Sequence, residues 1–540
     1  MALSALHVDP SRVPERPESI RTFATLDDAF HNGTEWSQKV DDPWDPAILT
    51  LGKHASYPWK HFIILVGLTD SGTSDGGGIR GYCSLLIVQQ LMHEVAACEN
   101  RLEREEAMVG ADRKREGTST PPYEPKIFKE EDLLPCHYFD FMYGTSTGGL
   151  IATMLGRLRM SVPQCLDLYR QVGDDLFGKR RSVLPLTTKY RTKPLERAVQ
   201  EIVRRHCKIH PEGECDGNDW HPWNVDEEEE DPVSSLFLRP AERICQTICL
   251  TATHNERVNE AHLLRTYNHQ YINIPNYITL YNQGADKLRI WEATRATSAA
   301  PFYFKILEAD IRGEKQGFKD GGIRENNPAG AAWSEFVSLY GEDRNPALLL
   351  SIGTGRPDES ADGFASAWPG PFGTSALMRK VAEKFAVFKN VLIKYTEGEE
   401  QHRAMVRIAK GEHTWYKRLN VDSGLEKMKL DDWEKGPWTA AGALAGPPPD
   451  RLGAQIVPGG KTLTRMEDAT QAYLTREFDH KYDTYAPPLT MIRQAAEKLV
   501  RQRRAREQTA HLDPHRWDTY MGRWLTGEYT PEADRPIVFD

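Results

Sequence analysis

The stretch His137-Tyr138-Phe139-Asp140-Phe141-Met142-Tyr143-Gly144-Thr145-Ser146-Thr147-Gly148-Gly149-Leu150-Ile151-Ala152-Thr153-Met154-Leu155 decides the fold class of this 540-residue chain. Its first seven residues are short, aromatic-rich and apolar, the pattern of a buried strand. Residues 149–155 are helix-forming and continue toward Met160. Only five residues, two of them glycine, join the two elements. Gly144 and Gly148 permit a strained turn that lifts the Ser146 hydroxyl out of a sheet, between Thr145 and Thr147. The helix behind it directs its positive N-terminal end at the serine, which favours negative charge developing there. A strand, a G-x-S-x-G turn and a helix in that order form the nucleophile-elbow arrangement of a serine hydrolase.

A serine hydroxyl is a weak nucleophile at neutral pH and needs a base within hydrogen-bond reach. The chain has 17 histidines. The late ones, His402, His413, His480, His511 and His515, stand in polar or charged contexts. Asp320 sits better: Gly317-Phe318-Lys319 reads as a strand, Gly321-Gly322 as a tight turn, and a helix follows with Asn327 as N-cap and Pro328 at its first position. Upstream, Asp75-Gly76-Gly77-Gly78-Ile79-Arg80-Gly81 opens another helix. Its Gly76-x-Gly78-x-x-Gly81 spacing is formally a dinucleotide fingerprint, but that reading requires a second strand about 20 residues on. Here the helix Tyr82–Cys98 runs into a charged stretch instead. The N–H groups at such a helix start suit the oxyanion of a tetrahedral intermediate, each donor lowering the barrier by roughly 3 kcal/mol.

With these segments in hand, the chain resembles the patatin-like phospholipases. Asp75–Gly81, Gly144–Gly149, Asp320–Gly322 and Trp291–Pro301 match the family, and Leu350–Gly355 looks like its closing strand. The resemblance implies a Ser146–Asp320 dyad without histidine and an oxyanion hole from Gly76, Gly77 and Gly78. Ile79, Arg80, Gly81, Gly144, Thr145, Thr147, Gly148, Gly321 and Gly322 would support these motifs. It also implies an α/β fold: a three-layer α/β/α sandwich with a mostly parallel central sheet. Its substrates would be acyl esters of membrane lipids, met at a membrane or micelle surface during lipid breakdown. One departure stands out. The strand expected at Phe62–Val66 is separated from Asp75 by the polar residues 67–74, either an outward loop or a gene-model error such as a retained intron. Two alternatives therefore stay open: a Ser-His-Asp carboxylesterase, and a lipid-binding protein disabled by that insertion.

Composition sets the remaining expectations. The length fits a catalytic domain with extensions, placed at residues 1–58 (a loosely packed lead-in), 59–357 (catalytic) and 358–540 (a largely helical C-terminal extension). Within the second, residues 101–125 and 211–235 read as insertions outside the core. A net charge of −10 argues against nucleic-acid binding. The N-terminus has no signal-peptide pattern and no apolar run is long enough for a membrane span. The eight cysteines follow no disulfide framework, so a cytoplasmic protein, peripheral at membranes, is expected. His206, Cys207, His210, Cys215 and His221 crowd one segment, yet their spacings match no zinc template, so neither metal nor cofactor is expected. Arg501-Gln502-Arg503-Arg504-Ala505-Arg506 reads as a solvated helix face. Arg295 reads equally as a structural partner of a buried carboxylate and as a substrate contact.

Overall fold

The computed structural model describes residues 35–52, 78–115, 125–177, 188–223, 245–356, 400–439 and 454–514, apart from positions 41, 189, 208, 209, 212, 258, 273, 301, 302, 312, 427, 429, 430 and 513. Its centre is an eight-stranded sheet. The strands are β1 (Ala47–Leu51), β2 (Phe141–Thr145), β3 (Thr247–His254), β4 (Ala261–Arg265), β5 (Leu307–Ile311), β6 (Glu314–Asp320), β7 (Leu348–Ile352) and β8 (Tyr416–Leu419). They lie in the order β5-β6-β3-β2-β1-β7-β8, with β4 beside β3. The block β3-β2-β1-β7-β8 is parallel, and β4, β5 and β6 run antiparallel to their neighbours.

The central strand corrects the sequence expectation. Ala47–Leu51 lies in the stretch read as a loose lead-in, yet all five of its residues are buried. Ile48 pairs with Phe141 on one side and Leu349 on the other. The sequence Ala-Ile-Leu-Thr-Leu has the unbroken apolar character of a parallel strand covered on both faces. A five-residue run of this kind, flanked by Pro46 and Gly52, gives no periodicity to separate it from a buried loop segment. The strand expected at Phe62–Val66 and the residues 67–74 after it lie outside the described residues.

Helices cover both faces. Ala47, Leu49 and Leu51 belong to one apolar cluster, shared with α1 (Gly81–Arg115), α2 (Thr147–Ala152), α3 (Val162–Phe177), α4 (Thr192–His206) and α5 (Ile290–Thr297). The alternate residue Ile48 belongs to a second cluster with α6 (Ala329–Tyr340), Met405 and Trp415. This period of two divides the core into two layers of side chains around one sheet.

Residues beyond 357 contribute α7 (Gly460–Thr475) and α8 (Pro488–Thr509), the helical region expected there, and β8 at the sheet edge. Two further corrections follow from α8. Helix α1 does not stop at Cys98 but continues through the charged stretch to Arg115, and Glu99 and Glu103 on it are buried. The basic cluster on α8 is what meets them. Arg503 Nε reaches Glu99 Oε1 at 2.9 Å, Arg504 Nε reaches Glu99 Oε2 at 2.6 Å, and Arg504 Nη2 reaches Glu103 Oε1 at 2.7 Å. Arg506 donates to both oxygens of Asp140 at 2.8 and 2.9 Å, and Asp140 Oδ2 also accepts from the Ala47 amide at 2.8 Å. Arg506 is thus a buried bidentate clamp on the start of β1 and β2, while Arg503 and Arg504 share Glu99 and tie α8 to α1.

Candidate active site

The site lies where β2, β6 and the start of α1 converge. At the end of β2, Ser146 has φ 56° and ψ −120°, a left-handed φ that a side-chain-bearing residue adopts only at a cost of order 1–3 kcal/mol. Its neighbours make the turn possible. A Cβ at Gly144 would overlap the Gly148 carbonyl, and one at Gly148 would overlap the carbonyl of Leu51. Glycine is required at both places because the backbones touch there.

The strain places Ser146 Oγ 2.7 Å from Asp320 Oδ2, across 174 residues of chain. Both side chains are buried, at 4% and 1% exposure. Asp320 ends β6 and caps the turn after it, its Oδ1 accepting from the Gly322 amide at 2.8 Å. Its backbone is fixed as well: its N–H donates to the Ala299 carbonyl at 3.0 Å and its carbonyl accepts from Thr253 Oγ1 at 3.0 Å. A Cβ at Gly321 would overlap Thr251. Thr145 Oγ1 bonds Thr251 Oγ1 at 2.8 Å and donates to the Glu325 carbonyl at 2.8 Å, joining the serine turn to the segment after the aspartate. The carboxylate can therefore accept the serine proton without moving.

Of the glycine loop, Gly76 and Gly77 lie outside the described residues. Gly78 is described, with φ 49°. Its carbonyl accepts from Thr147 Oγ1 at 3.0 Å and from the Tyr169 hydroxyl. Gly81 packs so closely on Thr147 and Tyr169 that a Cβ would overlap both. Ile79 and Arg80 are fully buried, and Arg80 donates to the Met428 carbonyl. The end of the loop is thus pinned beside the nucleophile even though 26 residues separate it from Leu51 (52–77). Beside the serine an apolar pocket opens, lined by Leu150, Met154, Leu168, Val172, Leu195 and Phe304 among others.

Ser146 and Thr297 meet in a contact that sequence reasoning missed. The Ser146 amide donates to Thr297 Oγ1 at 2.8 Å, holding the strained turn against α5. Thr297 stands inside the Trp291–Pro301 motif, but no local pattern names a partner 151 residues away. Tyr169 on α3 went unread for the same reason. Arg295 resolves as structural: it is 2% exposed, lies 3.5 Å from Glu196 Oε1 on α4, donates to the Lys305 carbonyl and stacks over Phe304. Two further sequence readings need adjustment. Pro328 is the N-cap of α6 rather than its first helical residue, while Asn327 Oδ1 still accepts from the Ala329 amide at 3.2 Å. The part of the 211–235 stretch that is described, read as lying outside the core, buries Cys215, Asp219 and His221.

Residues 73–333 match the family model described as Patatin-like phospholipase. The chain carries a patatin-like phospholipase domain. Calcium-independent phospholipase A2-gamma of Rattus norvegicus is 28% identical over 229 residues, 41% of this chain and 25% of the relative. The Homo sapiens protein of that name is 29% identical over 228 residues, again 41% of this chain and 25% of the relative. Phospholipase A I of Arabidopsis thaliana is 22% identical over 309 residues, 52% of this chain and 20% of the relative. The chain thus spans a quarter or less of the length of these relatives. The central, mostly parallel sheet flanked by helices agrees with this family. No described helix is long and apolar enough to cross a membrane.

Proposed function

We propose that this patatin-like domain is a phospholipase A-type acyl hydrolase working through Ser146 and Asp320. The observation that carries the reading is the 2.7 Å contact from Ser146 Oγ to Asp320 Oδ2 at a positive-φ serine. Ser146 Oγ attacks the ester carbonyl as its proton passes to Asp320. The backbone amides of the Gly76–Gly78 loop hold the oxygen that becomes negative. Collapse of the tetrahedral intermediate breaks the bond to the lipid alcohol, which leaves with the proton from Asp320. Water then attacks the acyl-enzyme, Asp320 takes its proton, and a fatty acid departs as Ser146 recovers its hydrogen. The apolar pocket beside Ser146 takes the acyl chain, and its apolar lining favours long-chain lipid over short, soluble esters. The protein acts peripherally on membrane lipid from the cytoplasm. The names of the Rattus norvegicus and Homo sapiens relatives call them calcium-independent, and the chemistry proposed here routes no step through calcium.

A fluorophosphonate serine-hydrolase probe tests the reading. Wild type should label, while Ser146→Ala and Asp320→Asn should not, and fatty acid should be released from phospholipid vesicles without added calcium. A folded wild type that fails to label would favour a non-catalytic lipid-binding protein. Labelling abolished by replacement of a late histidine would favour a Ser-His-Asp esterase.

A further inference from the structure

The segment that follows α4 gathers four donor groups, three of which crowd together in the sequence without matching a zinc template. Cys207, His210, Cys215 and Asp219 each offer one atom, and these atoms all lie within 4.8 Å of one another. Cys207 Sγ is 3.3 Å from His210 Nδ1, and His210 Nδ1 is 3.2 Å from Asp219 Oδ1. Cys215 Sγ lies 3.7 and 3.6 Å from the two Asp219 oxygens. A tetrahedral zinc ion, with Zn–S about 2.3 Å and Zn–N or Zn–O about 2.0–2.1 Å, separates its ligand atoms by roughly 3.3–3.8 Å. The Cys207–His210, His210–Asp219 and Cys215–Asp219 spacings, at 3.2–3.7 Å, sit at that scale. His206 and His221, part of the crowded sequence segment, are not in the group, and Asp219, which spacing did not single out, is.

The surroundings are built to hold it. The Gly217 amide donates to Cys215 Sγ at 3.4 Å, an interaction that stabilises a thiolate. Gly217 has φ 80°, and a Cβ there would overlap the Gln200 carbonyl of α4, so the turn lies directly on that helix. Asn218 and Asp219 grip α5: the Asp219 carbonyl accepts from the Ile290 amide at 2.9 Å, and Asn218 Oδ1 accepts from Trp291 Nε1 and from Gln200 Nε2, both at 3.1 Å. Helix α4 supplies Leu195 and Ile202 to the pocket wall, and α5 supplies Thr294.

We propose that Cys207, His210, Cys215 and Asp219 form a structural zinc site that ties α4 to α5 and fixes one wall of the pocket. Four protein ligands close the coordination shell, which suits a structural role, and two sulfurs with one nitrogen and one oxygen favour zinc over hard cations. The site takes no part in acyl transfer and stands apart from the Ser146–Asp320 reading.

Metal analysis of the full chain, purified under reductant and equilibrated with zinc before desalting, should find about one zinc per chain. Stripped protein should take up cobalt with a thiolate charge-transfer band and intense visible bands of tetrahedral coordination. Cys215→Ser and Asp219→Asn should each lose that stoichiometry, whereas Ser146→Ala should retain it, so the outcome is independent of the dyad. Stripping should lower Tm by several degrees, with zinc restoring it. Reduced, folded wild type that binds neither zinc nor cobalt would overturn the proposal, even where the ligand variants fail to fold. So would cobalt bound with an octahedral spectrum, or undiminished cobalt binding in Cys215→Ser.

Discussion

The two ends of β2 bury carboxylates in opposite ways. At its start, Asp140 accepts two bonds from Arg506, and nearby Glu99 accepts from Arg503 and Arg504. Beyond its far end, Asp320 accepts from a serine hydroxyl and a backbone amide, both neutral donors. A guanidinium fills a carboxylate's lone pairs with donors that never give up their protons, whereas a hydroxyl donor offers it a proton to take. The same residue type, equally buried, is a clamp in one place and, in the function proposed above, a base in the other. Its donors decide which.

This contrast can be broken from either side. The largest effect is expected at the serine: Ser146→Ala should lower kcat by about 10⁴-fold or more, with Asp320→Asn close behind, while Tm stays near wild type. Vesicle hydrolysis alongside thermal denaturation checks both halves of that statement. At the other end, Arg506→Met should leave the Asp140 carboxylate buried without its guanidinium partner and cost about 3–5 kcal/mol of stability. Denaturant titration reads this, and a loss below 1 kcal/mol would make the clamp decorative. Between them, Thr297→Val removes the hydroxyl that accepts from the Ser146 amide. We expect about 1–3 kcal/mol of destabilisation localised at the strained turn, with a fall in kcat and little change in KM.

The smallest effect is a pH dependence. His137, just before β2, is buried and lies near Arg159 and Arg503, and burial first and those cations second lower its pKa to about 3. Its folded pKa is below the ordinary value near 6.5, so the unfolded chain binds the proton more readily. Stability from this group is therefore full above pH 6.5 and is lost as pH falls toward 3. His137→Gln should flatten the stability profile in that window, as acid titration followed by circular dichroism would show.

Much of the site was legible in sequence because its demands are local. A strained serine turn needs glycines at fixed offsets, so Gly144 and Gly148 announce it. Asp320 is readable because a carboxylate at a strand end followed by two glycines caps its own turn. The helix that opens at Gly81 follows from periodicity, since apolar spacing records which face is buried. The central strand was not legible. Ala47–Leu51 is covered on both faces, and a fully buried strand leaves no alternation to read.

What only the tertiary structure decided is partnership across long separations. The sequence by itself determined the chemistry available: a serine, an aspartate, a glycine loop and the α/β frame that carries them. It could not say that Arg504 would meet Glu99, or that Thr297 would hold the Ser146 amide. Nor could it bring Asp219 beside Cys207, because nothing in either local segment encodes the other. Local backbone preference is written along the chain, whereas the pairing of buried charges and ligands is settled only when the whole core closes around them.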